Sequence, residues 1–181
     1  MKTKSLFKAS LIGTLVMFLW GATEWFNPLL HQPYKKVSNP HLVNETLNAN
    51  MPESGMYVWP HGDESKRNGE AQEIVYFVAK SDPSFYNPAK FMGVELLTQL
   101  LVWILITYLL LRTGFAKHWT RVKFIMGIGV LVGLTFFLPL WNWWAFSTEY
   151  VLARWLNMLA GWFLAGSAVS YFLRNKFSTS N

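Results

Sequence analysis

The chain has 181 residues, of which 52% are apolar and 14% charged, and it carries ten Trp, fourteen Phe and no Cys. So few charges exclude an ordinary soluble domain, where about 25% of residues are charged. The missing thiols exclude disulfides, Cys-x-x-Cys redox chemistry and thiolate metal sites. The net charge of +6 does not point to nucleic acid, because much of the basic excess lies beside apolar runs, where it sets membrane orientation.

Residues 1–26 open with Lys2, Lys4 and Lys8 and continue as an apolar run over 9–26. That run is longer than the core of a secretory signal, and Trp20, Gly21 and Ala22 do not supply the paired small residues of a cleavage site, so it predicts an uncleaved first membrane span. Ala9 and Gly13, four apart, give this helix a face for close packing. Glu24 lies at its far end, and Pro28 is expected to stop it.

Residues 27–88 are polar and mixed in charge, without the basic excess of a cytoplasmic loop. Asn39 and Pro40 form a cap and first-turn pair for a short helix that Met51 and Pro52 would end. The stretches 55–59 and 73–79 are rich in strand formers, and the polar segment between them predicts a β-hairpin. Two strands alone are marginal and need a surface to pack on.

The run 91–111 is the one around which we expect the chain to be organised. Its 21 or so residues, at ~1.5 Å each, match the ~30 Å hydrocarbon core of a bilayer. Glu95, Thr98 and Gln99 place a polar stripe on one helix face, and such a stripe is expected to face other helices rather than lipid. Arg112, Lys117, Arg121 and Lys123 follow with no acid among them, the strongest cytoplasmic signature in the chain. A third span is expected over 122–138, with Gly129 and Gly133 as a GxxxG packing face and Pro139 closing it. Trp141, Trp143 and Trp144 around Asn142 suit a membrane interface. A fourth span is expected over 148–173, with Gly161, Ala165 and Ala168 as its small-residue face, before Arg174 and Lys176.

The basic clusters agree on one orientation. Both termini are predicted to be cytoplasmic, with 27–88 and the Trp-rich turn outside. The expected fold is an all-α membrane protein, a four-transmembrane-helix bundle with a small extracytoplasmic helix plus β-hairpin inserted between spans one and two. The regions are 1–26, the N-terminus and first span; 27–88, the extracytoplasmic cap; and 89–181, spans two to four with a cytoplasmic tail.

The candidate site is a polar cluster of Glu24, Glu95, Gln99, Arg154 and Asn157. Tyr150, Arg154 and Asn157 share one face of the last span by their spacing. Two readings are open. The cluster is a small polar cavity holding an ion, a proton or a lipid headgroup, or Arg154 pairs with Glu24 or Glu95 and locks the helices. His31, His41 and His61, with Asp63, match no metal-ligand spacing and are read as solvated loop residues, and His118 as interfacial; no metal or cofactor is expected. Asn44 to Thr46 is a glycosylation sequon, a pattern short enough to arise by chance. The basic and aromatic residues of 112–124 form a linker between spans, so anionic lipid headgroups suit them better than nucleic acid.

The segments Ala49 to Tyr57, Leu138 to Ser147 and Gly161 to Gly166 resemble those of small four-span bacterial inner-membrane proteins of unassigned function. The resemblance implies a bacterial cytoplasmic membrane and no particular activity. The layout, a long first outer loop with strands and a short second one, is also similar to claudins and tetraspanins, but the missing cysteines count against that kinship. The expected role is a non-catalytic accessory, scaffold or partner-binding subunit, with membrane lipids, another membrane protein or a second copy as partners. The alternative is binding or transport of a small ion or lipid at the Glu/Arg cluster.

Overall fold

The computed structural model describes residues 3–24, 26–31, 34–59, 75–80 and 86–174. In chain order these form α1 (Thr3–Glu24), α2 (Pro28–His31), α3 (Pro40–Asn50), β1 (Gly55–Trp59), β2 (Val75–Lys80), α4 (Pro88–Thr113), α5 (His118–Trp143) and α6 (Thr148–Phe172). The chain divides into two units, one of Met1–Pro33 with Ala89–Asn181 and the other of Tyr34–Pro88.

In the smaller unit, α3 begins where a side chain replaces a missing helical acceptor. Asn39 Oδ1 accepts from the Leu42 N–H at 3.1 Å, with Pro40 in the first turn, where its absent N–H costs nothing. The helix ends as the Met51 N–H donates to the Leu47 carbonyl at 2.8 Å. The Tyr57 hydroxyl donates to the Glu53 carbonyl at 2.9 Å and accepts from the Glu53 N–H at 3.2 Å, closing the turn into β1. β1 and β2 pair antiparallel, Gly55 opposite Lys80 and Tyr57 opposite Val78, with an irregularity between Tyr57 and Trp59. The expected strand start at Glu73 and the segment that would close a hairpin lie outside the described residues.

The larger unit is helical. Three of its helices, α1, α4 and α5, are long and apolar enough to cross a membrane, as an integral membrane protein requires. Leu101, Leu105, Leu131, Phe136 and Leu156 stand on its surface. An apolar exterior of that extent belongs against lipid or protein. The core gathers Ala9, Met17, Trp103, Ile106, Leu110, Ile125, Trp162, Ala165, Val169 and Leu173.

α6 is the shared neighbour in this unit. Its backbone packs along both α1 and α5, and small residues make that approach possible. A side chain at Gly133 of α5 would collide with the Trp155 indole of α6, and one at Gly161 of α6 would fall 2.5 Å from Trp20 of α1. Gly129 is covered by Trp162, 2.9 Å from where its Cβ would be, and Ala165 is fully buried. The glycines of the GxxxG pattern therefore receive indole rings rather than a helix backbone. α4 joins the others through Trp103, which is fully buried. Its ring lies against Gly13 of α1 and 6.3 Å from the Trp162 ring, tilted by 52°.

Three expectations need correction. Pro139 does not close α5, which continues to Trp143. Proline removes its own bond to the residue 135 carbonyl, whereas ending the helix there would forgo the backbone bonds that residues 140–143 add. Pro28 does not simply stop the first helix but starts the one-turn α2, the position a proline suits. The Glu95, Thr98 and Gln99 stripe does not face the neighbouring helices. Glu95 and Thr98 are exposed and Gln99 is half-buried, because the buried stripe of α4, Trp103, Ile106, Thr107 and Leu110, is confined to its second half.

Candidate functional site

The last turn of α1 and the second turn of α6 bring opposite charges together. Arg154 Nη1 donates to Glu24 Oε2 at 2.8 Å. Asn157 Nδ2 donates to Glu24 Oε1. Trp20, one turn before Glu24, donates from Nε1 to the Asn157 carbonyl at 3.0 Å. The Arg154 guanidinium also lies 5.6 Å from the centre of the Tyr150 ring. Both carboxylate oxygens of Glu24 are thus engaged by donors from one face of α6.

The side chains of Arg154 and Glu24 remain 21% and 34% exposed, so the pair is partly accessible. Its chemistry is neutralisation of an anion by a cation and an amide at a helix junction. An unpaired charge at mid-membrane depth costs ~2.5–3.5 kcal/mol, less near the interface, and pairing removes most of that. Sequence spacing placed Arg154 and Asn157 on one face; it did not indicate Trp20, whose indole is a second polar tie across the same helix pair.

Glu95 does not enter this arrangement. Gln99 Nε2 donates to Glu95 Oε1 at 2.7 Å, on an exposed face one turn apart on α4. The five candidate residues therefore fall into two groups, Glu24 with Arg154 and Asn157, and Glu95 with Gln99.

A further polar knot joins the start of α5 to the end of α6. Arg121 is 1% exposed. Its Nε donates to Ser170 Oγ at 2.9 Å and its Nη2 to the Ser170 carbonyl at 3.0 Å. Its Nη1 donates to the carbonyls of Phe115 and Ala116 at 3.1 and 2.7 Å. Ser170 Oγ is 2.9 Å from His118 Nδ1 and 3.2 Å from the His118 carbonyl. Sequence reasoning counted Arg121 among the headgroup-facing charges of a linker; it is instead a buried tie for backbone carbonyls. The available signal was its place in the first turn of a long apolar helix, three residues after His118. Ser170 is fully buried and His118 half-buried, and their contact ties the start of α5 to the end of α6.

Among the described residues no group of three His, Asp or Glu is placed to hold a metal ion. His61 and Asp63 lie outside the described residues. Asn44 of the sequon accepts from Asn48 Nδ2 at 3.1 Å on the exposed surface of α3. Comparison with family models, curated proteins and solved structures gave no match.

Proposed function

We propose that the chain is a non-catalytic accessory or scaffold subunit of a bacterial cytoplasmic membrane, built to bind a partner within the bilayer. In this reading α6 is a fourth span beside α1, α4 and α5. Both termini lie on the cytoplasmic side, where Arg112, Lys117 and Lys123 meet anionic headgroups. The segment 27–88, a short helix with a hairpin, lies on the opposite side.

The observation that supports a scaffold is the use made of the strongest intramembrane charges. Glu24 is held at both oxygens by Arg154 and Asn157, so the ionisable groups are spent on fixing α1 to α6. A transport site would need them to exchange partners with an ion.

The second reading, binding of a small ion or lipid headgroup at this cluster, is favoured by its partial exposure. Thermal unfolding in detergent and ion flux in proteoliposomes separate the two. A scaffold predicts that Glu24→Gln and Arg154→Met each lower the midpoint, that the double variant lowers it less than the sum, and that no flux depends on Glu24. Unchanged midpoints together with a flux lost in Glu24→Gln would establish the second reading.

A further inference from the structure

The first half of α4 offers a surface that the other described residues of the larger unit leave uncovered. Residues 92–98 are all exposed, whereas Trp103, Ile106, Thr107 and Leu110 are buried. Steps of four back from Trp103 reach Gln99 and then Glu95, so the face that packs inward in the second half continues as a polar stripe in the first. Met92 and Thr98, three residues either side of Glu95, share its face and are exposed, so a second helix can lie along this stretch.

At ~1.5 Å per residue, Glu95 lies about 10 Å along a helix of about 39 Å, and Gln99 about 16 Å along it. Centring the ~30 Å hydrocarbon core on that helix places both side chains inside it. Gln99 donates to one oxygen of Glu95, and the other oxygen receives no donor from the described residues. Polar groups at such depth associate with complementary groups on neighbouring helices.

We propose that this half of α4 docks a membrane-spanning helix of a different protein, one that carries a lysine or arginine at the depth of Glu95. The inference rests on the partner-binding role given above and names its face and the chemistry of the partner. Charge decides against a second copy. Two parallel α4 helices related by a two-fold axis set Glu95 against Glu95 at equal depth, and like charges repel. A cation on a different helix completes the carboxylate instead.

The test uses the full chain in phosphatidylcholine vesicles, labelled at a single cysteine in a Lys117→Cys background. Acceptor-labelled peptides of a Leu/Ala membrane-spanning sequence carry Lys, Leu or Glu about six residues from one end. Energy transfer should show the Lys peptide associating at least tenfold more tightly than the Leu peptide, with the Glu peptide weakest. Glu95→Gln should reduce that preference and Glu95→Leu abolish it, with helix content unchanged in both.

Equal association of the Lys and Leu peptides would overturn the proposal. So would transfer between two labelled copies of the chain that Glu95→Leu abolishes, which would make the occupant a second copy. A Lys preference erased by adding an aminophospholipid to the vesicles would also overturn it, since a headgroup would then hold the site. Release of the chain from the vesicles by alkaline carbonate would instead sink the membrane reading itself. Binding of a partner on a face insensitive to Glu95 would leave the accessory role standing and remove only this surface.

Discussion

α4 and α6 are nearly equal in length, 26 and 25 residues, and both hold ionisable side chains in their first halves. They are used in opposite ways. α6 packs along two neighbours and its Arg154 and Asn157 are joined to Glu24 of α1. α4 meets its neighbours through one buried stripe in its second half, and among the described residues its Glu95 is joined to its own Gln99. The more apolar helix of the two is the peripheral one, and the described residues bury only one stripe of it. The helix that falls short as a span by composition is the shared neighbour, where Glu24 engages its Arg154 and Asn157 and Arg121 engages its Ser170. Hydropathy thus says little about which helix is central.

Breaking the far end of α6 should give the largest effect. Arg121→Met leaves the Phe115, Ala116 and Ser170 carbonyls without their donor, and such groups are costly when buried. At ~1–3 kcal/mol for each buried acceptor left unmet, the expected loss is about 3–5 kcal/mol, read as a fall in the unfolding midpoint in detergent. Gly133→Val should come next, at about 2–3 kcal/mol, since its side chain would have to displace Trp155 from a packed interface. The same measurement on Gly127→Val, where the space is open, should show little beyond helix propensity, about 0.5 kcal/mol or less. If the two glycines respond alike, the indole-on-glycine account of the α5–α6 contact fails.

Glu24→Gln and Arg154→Met should each cost about 1–2 kcal/mol, because partial exposure screens the pair. A double-mutant cycle would give their coupling directly. The smallest effects belong to α4. Thr107 Oγ1 is buried without a hydrogen-bond partner among the described residues, so Thr107→Val should be neutral or stabilise by up to about 1 kcal/mol. A large loss in that variant would mean that α4 is held by more than its apolar stripe and Trp103.

Much of the local structure was legible in the residues. Asn39 and Pro40 mark the start of α3, and the fourth apolar run begins at Thr148 as α6 does. Caps act within one turn, so a reader of the sequence has all the atoms involved. Pro139 misled for the same reason in reverse. Its local effect is to break a helix, yet the backbone bonds gained by continuing to Trp143 outweighed one absent bond. The candidate site was legible as a face, not as a pairing. Spacing grouped Tyr150, Arg154 and Asn157, but nothing local determined whether Arg154 would take Glu24 or Glu95.

Composition and periodicity alone determined that the chain contains membrane-length apolar helices, where its short helix begins, and which polar residues share a face. These follow from helix geometry and from the exclusion of charge from hydrocarbon, both properties of a segment by itself. Tertiary structure decided that α6 is the common neighbour, that Glu24 rather than Glu95 receives Arg154, and that Arg121 is buried. Those outcomes depend on which helix pair comes close enough for small residues to admit an indole or a guanidinium, and that distance is a property of the folded helices together.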